Sequence, residues 1–256
     1  MRTFLAFLKK ELLCQLRTGK VLILGVLFVL FGIMNPAVAK LTPWLLEAMG
    51  DALEESGMVI TSVTVSAMDS WVQFFKNMPM ALIAFVILQS NIFTKEYQTG
   101  TLLLSLTKGL ARCKVVLAKL CVLTLSWTAG YWLCFGINYA CNSCFWDNSV
   151  AQNLLFSVLC WWVFGLWIIG LLTLLSTIFT GNAGVLLGTG GVAMALYLIG
   201  LIPKLGRFLP TGLTSGSALI YGAAQVKEYA AGLVITAILL VLFPVLSIPL
   251  FQKKQL

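Results

Sequence analysis

The stretch VLILGVLFVLFGIMNPAV, residues 21–38, decides the fold class. It runs for 18 residues without a charge, and its eleven strongest membrane formers alone favour insertion by roughly 3 to 7 kcal/mol. A secretory signal is the alternative, because basic residues precede the run and Ala37-Val38-Ala39 resembles a cleavage site. Signal cores are shorter, at about 7 to 15 residues. We therefore interpret the run as a transmembrane span.

The composition of the whole chain agrees with this interpretation. Hydrophobic residues make up 60% and charged residues 10% of the chain, and the mean hydropathy is +0.97. Soluble proteins carry about 25% charged residues. The net charge of +8 indicates the cytosolic face of a membrane rather than a nucleic-acid partner. We expect an all-α integral membrane protein.

Two classes of enzyme are excluded by residues that the sequence lacks. It contains no histidine, which removes H-E-x-x-H zinc sites and Ser-His-Asp triads. Its Gly19-Lys20 pair lacks the rest of a phosphate-binding loop, so the chain is not itself a P-loop ATPase. We expect no catalytic residue, no metal and no cofactor in this chain.

Apolar runs predict six spans within one transmembrane domain covering residues 1–256. Their approximate ranges are 21–39, 77–94, 120–140, 153–179, 183–202 and 230–250. With the N-terminus inside, 12 of the 17 basic residues face the cytosol: Arg2, Lys9, Lys10, Arg17, Lys20, Lys95, Lys108, Arg112, Lys114, Lys119, Lys253 and Lys254. The positive-inside rule therefore places both termini in the cytosol.

Three segments outside the spans have distinct predicted roles. Residues 1–20 form an amphipathic helix lying on the inner leaflet, with Phe4, Leu5, Leu8, Leu12 and Leu16 at helical spacing. Residues 95–119 form a cytosolic loop with a short helix that should dock on a partner. Residues 203–229, broken by prolines and glycines, form either a hairpin that re-enters the outer leaflet or an ordinary outer loop.

The predicted spans contain few side chains that could bind an ion or take part in a reaction. No Asp, Glu, Lys or Arg lies in the central part of any span, which argues against an ion-coupled carrier and against a membrane-embedded enzyme. Six residues are candidates for lining a substrate route, although packing or lipid contact also explains the tryptophans. They are Trp161, Trp162, Trp167, Thr211, Thr214 and Ser215. Cys141 and Cys144 are either free thiols or a disulfide.

The loop after the second span carries the most specific pattern. It reads Glu96, three residues, Gly100-Thr101, the leucine-rich segment 102–106, Arg112, and then Ala118-Lys119. With the basic start of the chain and six spans, this pattern resembles the membrane permease of a type-2 ABC exporter of the Gram-positive peptide or antibiotic kind. Lys108-Gly109-Leu110 departs from the family, in which many members have a proline here.

The resemblance implies a bacterial plasma-membrane permease that pairs with a second copy and with two cytosolic ABC ATPase subunits, which bind Mg-ATP. Carried over to this sequence, it assigns coupling to the ATPase to Glu96, Gly100, Thr101 and Leu102, with Arg17 and Lys10 as secondary contacts. From the residues alone, Glu96 could instead form a salt bridge with Lys95 or with the N-terminal helix.

The short outer segments and the apolar, aromatic spans favour export of a hydrophobic or amphipathic substrate. We expect a peptide, such as a toxin, bacteriocin or antimicrobial peptide, in export or self-immunity. The alternatives are an ABC exporter of lipophilic drugs or ions and an ion-coupled secondary transporter.

Overall fold

The structure, a computed structural model, describes residues 2–48, 65–107 and 109–254. Within these ranges the chain is helical and contains no β-strand, which confirms the all-α fold. The helices are α1 Arg2–Arg17, α2 Lys20–Ala48, α3 Ala67–Gln89, α4 Asn91–Gln98, α5 Thr101–Thr107, α6 Arg112–Phe145, α7 Leu154–Ile178, α8 Asn182–Gly200, α9 Pro203–Gly206, α10 Gly216–Ile220 and α11 Ala230–Lys253.

Six helical segments in the described ranges are long and apolar enough to cross a membrane, as predicted. They are Lys20–Leu45, Ala67–Gln98, Arg112–Phe145, Leu154–Ile178, Asn182–Gly200 and Val226–Lys253. Several of these helices extend beyond the predicted spans. The second begins at Ala67, where a capping box fixes its start: Met68 N donates to Ser66 Oγ, and Ser66 N donates to Asp69 Oδ2.

The span α7 lies at the centre of the bundle. In its most apolar stretch of 18 residues, 67% of the residues are buried inside the protein. The helix packs against α6, α8 and α11. The same measure is only 11% for α8, which lies at the edge. In α8, Gly184 and Gly188 lie against Phe179 and Leu175 of the same chain. That pair therefore serves packing within the chain.

An aromatic core joins α2, α3 and α6 around Trp127. Its ring meets those of Phe28 and Phe85 edge to face, with centroids 5.8 and 5.5 Å away. Two glycines make room for the rings, because a Cβ on Gly130 would overlap Phe28 and one on Gly165 would overlap Trp127. Helix spacing in this core is therefore set by glycines facing aromatic rings.

Buried amides also lie between the first three spans. Asn77 Nδ2 donates to Asn35 Oδ1 at 2.7 Å, and both side chains are buried. Asn138 and Asn142, one turn apart on α6, are fully buried, and neither side-chain amide has a hydrogen-bond partner among the described residues. An unpaired buried amide is costly, so these two positions lower the stability of the fold.

The N-terminal helix α1 packs against α6 with a partly polar face. Phe7, Glu11 and Gln15 form that buried face. The predicted apolar stripe includes three exposed leucines, namely Leu5, Leu12 and Leu16. The helix thus buries a mixed face of Phe7, Glu11 and Gln15 against the protein and leaves several leucines exposed. Its contact with the inner leaflet stays a prediction.

Both ends of the described chain lie near the start of α6, at the end of the bundle that we call the basal end. At the N-terminal end, Lys114 Nζ donates to Thr3 Oγ1 at 2.9 Å. The Arg112 guanidinium donates to the carbonyls of Phe251 and Lys254 at 2.8 Å each. Lys254 Nζ donates to the carbonyls of Thr177 and Phe179 at 3.1 and 2.9 Å, at the C-terminal end of α7. These contacts join the last span to α6 and α7.

Residues 203–229 lie at the opposite end, the apical end, as a series of short helices. They comprise α9, α10 and the 3-10 helices Pro210–Thr214 and Val226–Tyr229. The first 3-10 helix and α10 pack on α7. Re-entry of this segment into the outer leaflet stays a prediction.

Candidate functional site

Four charged side chains from three parts of the chain meet at the basal end. We call them the charged cluster: Lys10 and Glu11 on α1, Glu96 on α4 and Lys119 on α6. The two cations and two carboxylates make the cluster neutral. It joins the N-terminal helix, the loop after the second span and the third span.

The two lysines bridge the two carboxylates. Lys119 Nζ lies 3.1 Å from Glu11 Oε2 and 2.8 Å from Glu96 Oε2. Lys10 Nζ pairs with Glu11 Oε1 at 2.8 Å and also with Glu96 Oε1. Each carboxylate is therefore shared between both lysines.

Burial makes this arrangement interdependent. The side chains of Lys119 and Glu11 are 1% and 5% exposed, and Lys119 also donates to the carbonyl of Ile92 at 2.8 Å. A buried ammonium needs such partners, since removing one leaves an uncompensated charge. Burial lowers the pKa of Lys10, but Glu11 and Glu96 raise it more, so the net shift is upward and Lys10 stays charged.

Two further polar pairs connect α1 and the start of α2 to the loop region. Gln15 Nε2 donates to Gln89 Oε1 at 2.9 Å, and both side chains are buried. Lys20 Nζ donates to Asn91 Oδ1. The segment that ends the second span is thus attached to α1 through Lys10 and Gln15, and to the start of α2 through Lys20.

The structure brings together some of the predicted coupling residues and leaves others apart. Glu96 and Lys10 belong to the charged cluster, so Glu96 pairs with the N-terminal helix as one sequence interpretation proposed. Leu102 is buried and anchors α5, whereas Gly100, in the turn before α5, and Thr101, its first residue, are exposed. Arg17 lies exposed at the end of α1, outside the cluster.

Sequence reasoning did not single out Glu11 and Lys119 as partners of Glu96. Glu11 and Glu96 are the two acids on the side predicted to be cytosolic, and the structure joins both to Lys10 and Lys119. The scarcity of acidic residues on that side was the feature of the sequence that could have drawn attention to Glu11. Lys108, another basic residue of the loop, lies outside the described residues.

A cleft of about 390 Å³ opens beside the cluster. Its walls are the predicted coupling segment and the turn between α7 and α8. Glu96, Gly100, Leu102 and Leu103 lie on one side, with Thr180 on the other. The geometry provides a concave surface at the basal end in which a partner's side chain could lodge.

Three of the six predicted substrate-route residues line a second cavity, at the apical end. This apical cavity has a volume of about 500 Å³ and is lined by Thr211, Thr214 and Ser215, among others. Thr214 Oγ1 donates to the Thr211 carbonyl at 2.7 Å, so the hydrogen of that hydroxyl is not available to a ligand.

The three tryptophans do not line this cavity. Trp161 Nε1 donates to the Thr214 carbonyl at 2.9 Å from behind its wall. Trp162 Nε1 donates to Thr128 Oγ1, and Trp167 stacks on Phe164 inside the core. The structure therefore gives the tryptophans packing roles and does not join all six residues into one route.

Cys141 and Cys144 are free thiols in the structure, and the disulfide alternative stays a prediction. They lie three residues apart on α6. Side chains at this spacing have Cβ atoms about 5 to 6 Å apart, whereas a disulfide needs about 3.5 to 4.5 Å.

Six apolar helices, a charged cluster at one end and an irregular segment at the other describe a multi-pass membrane protein of the permease type. The family model described as ABC-2 family transporter protein matches residues 5–204. The chain belongs to this family, as the resemblance predicted, and is the membrane permease component of an ABC transporter. Comparisons with curated proteins and with solved structures found no match.

Proposed function

We propose that this chain is the transmembrane subunit of an ATP-driven exporter in a bacterial plasma membrane. In this proposal both termini and the basal end face the cytosol, and two copies of the chain pair in the membrane. Each copy contacts one copy of a separate ABC ATPase, which binds and hydrolyses Mg-ATP.

The observation that carries the proposal is the charged cluster. It links the loop predicted to contact the ATPase, through Glu96, to α1 through Lys10 and to the third span through Lys119. Lys119 and Glu11 are buried, and separating buried ion pairs leaves charges without partners, whereas Lys10 is 46% exposed and contributes less. Lys119 therefore also links the loop to α1, through Glu11. A displacement of the loop would therefore move α1 and α6 with it.

The exposed turn at Gly100 and Thr101 is the proposed contact point. Gly100 has a φ of +67°, a conformation that favours glycine, and a Cβ there would meet nothing within 4 Å. Behind this turn, buried Leu102 fixes α5 to the bundle, while Leu103 is half exposed on the wall of the cleft. An ATPase side chain seated in the cleft would press directly on the segment that holds Glu96.

We infer that the substrate is hydrophobic or amphipathic, with a peptide as the first candidate. The apolar spans and the absence of charged residues from their centres support this class over an ionic or long polar substrate.

The test is co-purification with the candidate ATPase, followed by ATP turnover in reconstituted vesicles. Leu103→Asp places a charge on the cleft wall, and Gly100→Ala strains the turn. Gly19→Ala is the matched control for Gly100→Ala, because Gly19 has a similar φ of +72° and equally open surroundings but lies between α1 and α2.

We expect Leu103→Asp and Gly100→Ala to lose ATPase association while eluting as folded protein, and Gly19→Ala to retain it. Peptides added to the wild-type complex should raise ATP turnover more than lipophilic amines do. The coupling proposal fails if no ATPase associates with the wild type, or if all three variants associate equally well.

A further inference from the structure

The apical cavity has walls whose shape depends on close backbone packing. It lies between the C-terminal end of α8, the segment around α9 and the start of α11. A Cβ on Gly206 would lie 2.6 Å from the Gly200 carbonyl oxygen, and one on Gly212 would lie 2.6 Å from that of Gly206. These distances leave no room for a side chain. The irregular backbone therefore packs tightly and forms a wall of the cavity.

Two opposite charges face this cavity. Arg207 and Glu228 both line it, and in the part of the chain that the structure describes no ion pair joins them. The Glu228 carboxylate instead accepts from the Gln225 backbone N–H at 3.4 Å. A cavity with a separate cation and anion is complementary to a ligand that carries one charge of each sign.

The cavity also has an apolar margin. Tyr197 and Leu201 line it, and both side chains are more than half exposed, at 54% and 65%. They lie at the end of α8, the span with the least buried surface. In a membrane protein, exposed apolar side chains on such a helix face lipid chains or another membrane helix. The cavity therefore opens beside an apolar surface.

We propose that the apical cavity binds the headgroup of a zwitterionic phospholipid. The phosphate would pair with the Arg207 guanidinium, the ammonium would lie near the Glu228 carboxylate, and the acyl chains would run along Leu201 and the neighbouring apolar surface. A volume of about 500 Å³ is within the usual range of small-ligand pockets. Lipid binding does not depend on ATP-driven transport or on which leaflet the cavity faces.

The test compares lipids retained by the purified full chain, without any ATPase. The protein is reconstituted in an equimolar mixture of phosphatidylethanolamine and phosphatidylglycerol, purified again, and analysed by native mass spectrometry. The variants are Arg207→Gln and Glu228→Gln. Their matched controls are Lys204→Gln and Lys227→Gln, charged neighbours that are not part of the cavity lining.

We expect the wild type and both controls to retain phosphatidylethanolamine preferentially. Arg207→Gln should retain roughly tenfold less of both lipids than the wild type, which is the scale expected for the loss of one charged hydrogen bond. Glu228→Gln should lose phosphatidylethanolamine but keep phosphatidylglycerol, because only the former carries an ammonium group.

Equal retention of the two lipids by the wild type would overturn the proposal, as would variants that behave like their controls. So would displacement of the bound lipid by a zwitterionic tripeptide at lower concentration than by glycerophosphoethanolamine, since the cavity would then prefer a peptide. Failure here leaves the ATPase association of the basal end untouched, so the two proposals can fail separately.

Discussion

Removing the Lys119 ammonium should destabilise the protein more than removing any exposed lysine. In Lys119→Met, the neutral charged cluster is left with two carboxylates and one lysine, and Glu11 is 5% exposed. Breaking a buried ion pair from one side costs about 3 to 5 kcal/mol. Because Lys10 still lies 2.8 Å from Glu11, we expect a loss near the lower bound, about 3 kcal/mol.

The double variant Glu11→Gln/Lys119→Met restores neutrality. It keeps the ion pair between Lys10 and Glu96 and removes one charge of each sign. We therefore expect it to be no less stable than Lys119→Met alone, with an interaction energy of about 1 to 3 kcal/mol. Additive effects would require the two residues to act independently.

The assay is thermal unfolding in detergent, followed by tryptophan fluorescence at one fixed scan rate. For soluble chains of this size, about 3 kcal/mol corresponds to a fall in Tm of roughly 6 to 12 °C. Lys114→Met is the matched control: Lys114 is on the same helix and donates to Thr3 Oγ1, which is uncharged. The explanation is refuted if Lys114→Met and Lys119→Met shift Tm equally, or if the double variant falls by the sum of its single variants.

Three other predictions follow from particular side chains. Gly165→Ala should lower the free energy of unfolding by about 1 to 3 kcal/mol, and Tm with it, because the new Cβ would overlap Trp127. Gly136→Ala should leave Tm unchanged, because a Cβ there would have nothing within 4 Å. Asn138→Leu should raise Tm by the equivalent of about 1 to 3 kcal/mol, since it removes a buried unpaired amide; a lower Tm would show that the amide is paired. Burial lowers the pKa of Lys254 from 10.5 to about 8, so its neutral, acylatable form should reach half its maximum near pH 8 in an acetylation profile followed by mass spectrometry, and a midpoint above pH 10 would contradict this.

Hydropathy was sufficient to predict the fold class and the six spans, because insertion depends on the summed apolarity of about 20 residues. It did not give the ends of the helices. The second span begins at Ala67 because Ser66 and Asp69 cap it, and such local hydrogen bonds are independent of hydropathy. Segments that carry charges can therefore continue a helix well outside the predicted span.

The charged cluster was only half predictable. The sequence pattern drew attention to Glu96, but its partners Lys10 and Lys119 lie 86 residues before it and 23 residues after it, and only tertiary packing brings them together. Buried Asn138 and Asn142 were missed for a different reason. Formal charge marks the ionisable residues of a span, but an amide carries none, although its burial is also costly.

The contacts of Arg112 also imply an order of events during biosynthesis. The partners in the charged cluster, from Lys10 to Lys119, are all available once the third span has left the ribosome. Arg112, in contrast, must wait for the carbonyls of Phe251 and Lys254, which are made after the last span. The N-terminal helix therefore has all its partners in the cluster before the final helix is made, whereas the Arg112 contacts can form only after the final helix has been synthesised.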